Sequence, residues 1–110
     1  MTDFELVFLR WQEAVHQNAK AKGWWDDERN DGEAIALMHS ELSEALEVLR
    51  KDPEAMDEKC PKFKALEVEL ADVIIRIMDF AGGNQLDIGG AIVAKHQYNQ
   101  TRPHKHGKKF

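Results

Sequence analysis

Four acidic residues in two matched doublets are the part of this 110-residue sequence best suited to chemistry: Glu41-x-x-Glu44 in HSELSEALE and Glu69-x-x-Asp72 in EVELADVII. On an α-helix a separation of three puts two side chains on one face about a turn apart, so each doublet is a two-carboxylate clamp. Two clamps on facing helices bring four carboxylates together. Oxygen-only ligation of that kind suits hard divalent cations such as Mg²⁺ or Mn²⁺. The competing reading is ordinary solvated helix surface, and burial separates the two. Leu37, Glu41, Glu44 and Val48 share one line of their helix, whereas Ser40, Ser43, Glu47 and Arg50 share an outer one. Glu47 is therefore expected in solvent, and Glu41 and Glu44 turned inward. The run LADVIIRIM, Leu70 to Met78, is apolar nearly all round, broken only by Asp72 and Arg76. A helix apolar on all sides is a buried one. Because an unpaired carboxylate is costly there, Asp72 is expected either at a metal or in a buried salt bridge with Arg76, one turn away.

A cationic complement follows downstream. Lys95, Asn99 and Arg102 are spaced four and three apart and share one face that continues from Ile88 and Ile92. Lys and Arg hold phosphate oxygens, and Asn fixes a sugar or phosphate by hydrogen bonds; the alternative is a fraying polar C-terminus. The formal net charge of −5 is unevenly spread: residues 95–110 carry five basic side chains and no acid, while the first 94 hold 10 basic and 20 acidic ones. An acidic body excludes duplex nucleic acid as the main partner, because phosphate neutralisation needs a broad basic face. Acidic clamps for metal beside a cationic edge for phosphate are the apparatus of phosphoryl chemistry on a nucleotide. The histidines add less. His39 lies two residues before Glu41 and either lines the site or sits on the surface, and His104-x-His106 is a weak metal pair in the tail. Glu13-x-x-His16 matches the Glu-x-x-His unit of di-iron carboxylate bundles, but such sites need two units and one is present.

The elements that must position these residues are helical throughout. Phe4, Phe8, Trp11 and Val15 recur at helical spacing, with a Thr2/Glu5 capping box and Gly23 to close, which predicts a first helix over about 4–22 with an aromatic inner face. The segment WWDDERNDG, residues 24–32, has no period and reads as a loop ending in the cap Asn30. A second helix is predicted over about 33–50, with Ile35, Met38, Leu42, Ala45 and Leu49 as its apolar stripe, stopping before Asp52-Pro53. Pro61 then suits the first turn of a third helix over about 62–81, ended by Gly82-Gly83. A fourth runs from about Leu86, after an Asn84 cap, to Gln100 before Pro103. The expectation is an all-α, four-helix bundle in one domain spanning residues 1–110, with a basic tail over about 101–110. A domain this small buries a modest fraction of its surface, so self-association is expected. The single Cys60 forms no internal disulfide. The opening MTDFELVFLRWQE is too interrupted by charge for a signal peptide, and no apolar run approaches the roughly 18 residues of a membrane span. A cytoplasmic location without membrane partners is the expectation.

Taken together, Glu41-x-x-Glu44, 24 intervening residues, Glu69-x-x-Asp72 and then KHQYNQTRPHKHGKKF resemble the signature of the MazG-like all-α nucleoside triphosphate pyrophosphohydrolases, a superfamily that includes dimeric dUTPases and dCTP pyrophosphatases. The resemblance covers about residues 33–109, with Lys95, Asn99 and Arg102 matching the segment that closes the family motif. It implies a MazG fold assembled as a homo-oligomer, dimer or tetramer. It also implies Mg²⁺-dependent hydrolysis of a (d)NTP between the α and β phosphates, with Mn²⁺ as substitute, in nucleotide-pool house-cleaning. By residue-wise carry-over, Glu44, Glu69 and Asp72 hold the metal, and Glu41 also binds it or orients the attacking water as base. Lys95 and Arg102, with Asn99, take the phosphates. An aromatic from the loop before the first clamp stacks on the base, a role assigned here to Trp25; the alternative is that Trp24 and Trp25 tack the loop onto the core. A non-catalytic helical adaptor of the same fold is the second reading of the whole chain.

Overall fold

The computed structural model describes residues 1–110, and the chain folds into four α-helices: α1 Asp3–Ala21, α2 Asp31–Lys51, α3 Ala65–Asn84 and α4 Ile88–Gln100. A short 3₁₀ turn, His104–Gly107, follows. There is no strand, only an isolated bridge between Met56 and Lys64. The α1 capping box forms: Glu5 N–H donates to Thr2 Oγ1 at 3.1 Å, and Thr2 N–H to Glu5 Oε2 at 2.7 Å. That backbone hydrogen bond from Thr2 holds the Glu5 carboxyl below its ordinary range. Gly23, with φ +88°, turns the chain out of α1. Asn30 Oδ1 accepts the Glu33 N–H at 3.0 Å to start α2, a cap that contributes about 1 kcal/mol.

The second half of the chain departs from the boundaries expected of it. α3 begins at residue 65, not 62, because the connection folds back on itself: the Asp57 carboxylate accepts the N–H groups of Lys59 and Cys60 at 2.9 and 2.8 Å. Ala65 N–H reaches Ala55 C=O at 2.8 Å, so Pro61 lies in a turn and not in a helix. At its other end α3 runs through Gly82-Gly83, which serve close packing instead of termination. A Cβ on Gly82 would stand 2.7 Å from His16 Cβ, and one on Gly83 would stand 2.1 Å from Trp25 Cη2. The helix stops instead at Gln85, whose φ of 56° is left-handed. Asn84 caps nothing; its amide donates to Phe80 C=O, and Asp87 caps α4 by accepting the Gly90 N–H at 3.0 Å.

α3 is the central element, with α1 and α2 both packed on it and α4 packed on α1. The inner line of α1 differs from the aromatic face expected: Gln12 and His16 are buried, whereas Phe4 and Trp11 are exposed. Both polar residues find partners, Gln12 Nε2 donating to Leu86 C=O at 3.0 Å and His16 meeting Asp79. On α2 the buried residues are Ala34 and Ala45, while Ile35, Leu42 and Leu49 of the predicted stripe are exposed. α3 is likewise not buried all round: Val73 and Ala81 are, but Leu70, Ile74 and Ile75 face out. The radius of gyration of 16.3 Å exceeds the roughly 13 Å of a compact domain this size, so the single chain is an open arrangement of helices.

A candidate metal centre in a tryptophan-walled cleft

α2 and α3 run antiparallel, as the pairings across them show: Glu41 meets Arg76 and Asp72 while Glu44, a turn later, acts on Glu69, a turn earlier. One carboxylate oxygen from each of Glu41, Glu69 and Asp72 lies within 4.8 Å of the others. Three oxygens at that separation can share one divalent cation, since metal–oxygen distances of about 2.0 to 2.6 Å set opposite ligands roughly 4 to 5 Å apart. The donor set fits a hard cation. Glu44 stands outside this triad and is exposed, against the expectation that it turns inward. Glu47 is exposed as expected, with a 3.3 Å ion pair to Arg50.

Electrostatics show the cluster to be under-neutralised. Burial, then the charges of Glu44, Asp72 and Glu41, push the Glu69 carboxyl above its ordinary range. Burial, then Glu41 and Asp57, push Asp72 up as well, opposed by Arg76 and Lys59. The alternative to a metal, a salt bridge between Arg76 and Asp72, does not form: Arg76 Nε donates instead to Glu41 Oε1 at 2.8 Å. Asp57, in the α2–α3 connection, is an acid the sequence reading missed.

Beside the cluster lies an open cleft of about 540 Å³, lined by Glu41, Asp72 and Asp79, by Arg29 and Arg76, and by apolar residues that include Trp11 and Trp24. Of the two loop tryptophans, Trp24, 68% exposed, is the one that faces it. Trp25, expected to stack on a base, is instead packed into the fold. Its Nε1 donates to Asp79 Oδ1 at 2.7 Å, His16 meets it edge-on at 4.9 Å, and the Arg29 guanidinium sits 4.3 Å over its ring. Asp79 also accepts from Arg29 Nη1 at 3.0 Å and lies 3.0 Å from His16 Nδ1. A carboxylate only accepts, so the imidazole carries its proton on Nδ1. Asp79 and Arg29 were legible only in part: Asp79 follows Asp72 by seven residues, two turns along one face of α3, but nothing local marks its partners.

The downstream residues form a second place. Lys95 and Asn99 line a separate shallow groove with Ile88, Ala91, Ile92 and His96. Lys95 Nζ and the Arg102 guanidinium lie 4.8 and 5.5 Å from the Tyr98 ring. Asn99 Oδ1 is buried without a hydrogen-bond partner. Within one chain Lys95 and Asn99 line this groove, Arg102 lies beside Tyr98 outside its lining, and none of the three lines the acidic cleft. His39 is exposed and outside the cleft, and His104 and His106 are exposed in the 3₁₀ turn. The Glu13/His16 unit diverges: Glu13 is exposed and accepts from Gln17, while His16 turns to Asp79.

The chain matches no protein-family model, no curated protein and no solved structure, so its chemistry is argued from its own residues. No helix is long and apolar enough to cross a membrane.

Proposed function

We propose that this protein is a divalent-metal-dependent nucleoside triphosphate pyrophosphohydrolase, releasing the monophosphate and pyrophosphate. The observation that carries the reading is the convergence of Glu41, Glu69 and Asp72 at the edge of a cleft walled by Trp11 and Trp24. A divalent cation such as Mg²⁺ held there would supply charge neutralisation for a triphosphate and would lower the pKa of a nearby water. Glu41, Glu69 and Asp72 hold it, with Glu44 at the solvent edge. Arg76 fixes the Glu41 carboxylate through one oxygen, and Glu41 orients the attacking water and takes its proton. The apolar wall and the exposed Trp24 face accept a flat base. Without a cation the acids repel a triphosphate, so nucleotide binding requires metal.

The test is pyrophosphate release from a panel of dNTPs and NTPs with Mg²⁺, for wild type, Glu41→Gln and Asp72→Asn. The reading expects both variants to lose at least 100-fold in rate, as order-of-magnitude losses on removing groups that act on the transition state. Equal turnover in all three proteins overturns the assignment, and absence of release by wild type favours the adaptor reading.

The working unit is a homo-oligomer, dimer or tetramer. The single chain exposes 8606 Å², against about 6,200 Å² for a compact monomer of this mass, and many large apolar side chains on the helices are among the exposed residues. Ile35, Leu42 and Leu49, spaced by seven on α2, are half exposed along one seam, as are Leu70 and Ile74 on α3. A second copy seated there covers the excess, which is on the scale of an obligate homodimer interface. The MazG fold, to which the doublet motif points, is part of the same proposal.

A further inference from the structure

A triphosphate needs cationic partners as well as metal, and the chain supplies one from a place the doublet motif does not mark. We propose that Arg29 is the phosphate-binding residue of the cleft and that Asp79 is the positioning residue that presets it, an inference that rests on reading the cleft as a nucleotide site. Among the residues lining the cleft, only Arg29 and Arg76 are cationic. Arg76 gives one donor, its Nε, to Glu41 of the acidic cluster and is tied to that end of the cleft. Arg29 is held differently: its Nη1 donates to Asp79 Oδ2 at 3.0 Å and its flat guanidinium rests 4.3 Å over the Trp25 ring. A guanidinium has five N–H donors in a fixed fork. The protein uses one of Arg29's donors, and the rest remain for a ligand.

The mount beneath it is rigid. Asp79, 13% exposed, gathers donors from α1 through His16 and from the α1–α2 loop through Trp25 and Arg29. Trp25 in turn lies against Gly83, where even a methyl group would collide with it. Arg29, its side chain 21% exposed, is held by this ion pair and by the Trp25 ring, which lowers the ordering cost of binding a ligand. Asp79 also lies two helical turns beyond Asp72 on the same face of α3, about 10 Å along the axis. That span lets one nucleotide reach from the metal cluster to the Arg29 fork. Lys95 and Arg102, the cations singled out in the sequence, do not line this cleft. Arg29, with Arg76 at the cluster end of the cleft, therefore takes the phosphate charge that the metal leaves.

The experiment measures calorimetric binding of a non-hydrolysable α,β-imido deoxynucleoside triphosphate with Mg²⁺ to the full chain, for wild type, Arg29→Gln, Arg29→Lys and Asp79→Asn. Mn²⁺ affinity without nucleotide is measured beside it. Loss of a charge-assisted fork predicts about a 10- to 100-fold weaker Kd for Arg29→Gln. Arg29→Lys keeps the charge but not the fork and falls between. Asp79→Asn keeps an acceptor for Trp25 and His16 but not Arg29's counter-charge, and loses less than Arg29→Gln. Mn²⁺ affinity stays at the wild-type value in all three. Analogue binding by Arg29→Gln within twofold of wild type, in a protein with an unchanged melting curve, overturns the proposal. Wild type that binds the analogue but releases no pyrophosphate from true dNTPs overturns the hydrolase reading and leaves Arg29 standing. Wild type that binds no analogue overturns both.

Discussion

Glu69 and Asp72 carry the electrostatic cost of the site. Both carboxyls sit above their ordinary ranges, chiefly through burial and then through neighbouring acids. The sign follows from proton linkage. Between the ordinary carboxylate range and the raised folded values, the folded state binds more protons than the unfolded chain, so stability falls as pH rises through that window. Above it the penalty is complete, and it persists at neutral pH in metal-free protein. Glu69→Gln/Asp72→Asn removes the two charges, and the expected outcome at pH 7 without metal is a Tm higher by roughly 2 to 5 °C. The same variant has a flatter decline in stability between pH 4 and pH 7. Wild type gains stability from divalent metal, about 2.7 kcal/mol at 100 times Kd, and the variant does not. Thermal melts across pH, with chelator or with Mg²⁺, check all three statements.

Helix identity was legible because each helix has a local signature, whereas exact ends and inward faces were not. The Thr2/Glu5 box and the Asn30 cap act within three residues, and both form as the sequence implies. The ends of α3 are set by distant partners. Asp57 draws the preceding residues into a turn, and Gly82-Gly83 continue the helix because His16 and Trp25 need the space a side chain would fill. The inner line of α1 was misjudged for a related reason. Gln12 and His16 look like surface residues until Leu86 C=O and the Asp79 carboxylate are placed beside them. At the site, i, i+3 spacing marked four acids, of which Glu41, Glu69 and Asp72 come together and Glu44 does not. It could not show that Arg76 pairs with Glu41, that Trp24 and not Trp25 faces the cleft, or that Asp79 anchors the loop. Those are contacts between segments, and sequence spacing carries no record of them.

The open form of the single chain is what motivates the proposed association of the whole molecule. Seven of its 110 residues are buried, and no large side chain is fully so, a small core for 12.6 kDa of helix. Sedimentation equilibrium at micromolar concentration is expected to give a mass of two or four chains. Leu42→Glu/Leu49→Glu places charge on the α2 seam, and the expected result is a monomer with a lower Tm, since folding and assembly are linked. A wild-type monomer at 100 micromolar contradicts the account at this scale. The separate groove of Lys95 and Asn99 also belongs here: it shares a chain with the acidic cleft but not a surface.

The proposed function requires that Glu41, Glu69 and Asp72 hold one divalent cation. Electron paramagnetic resonance of Mn²⁺ titrated into the metal-free protein measures it without reference to any reaction. One saturable site per chain in wild type, displaced by Mg²⁺ and lost in Glu69→Gln/Asp72→Asn, is the expected result. Free-ion signal throughout the titration, or the same binding in wild type and variant, would contradict it.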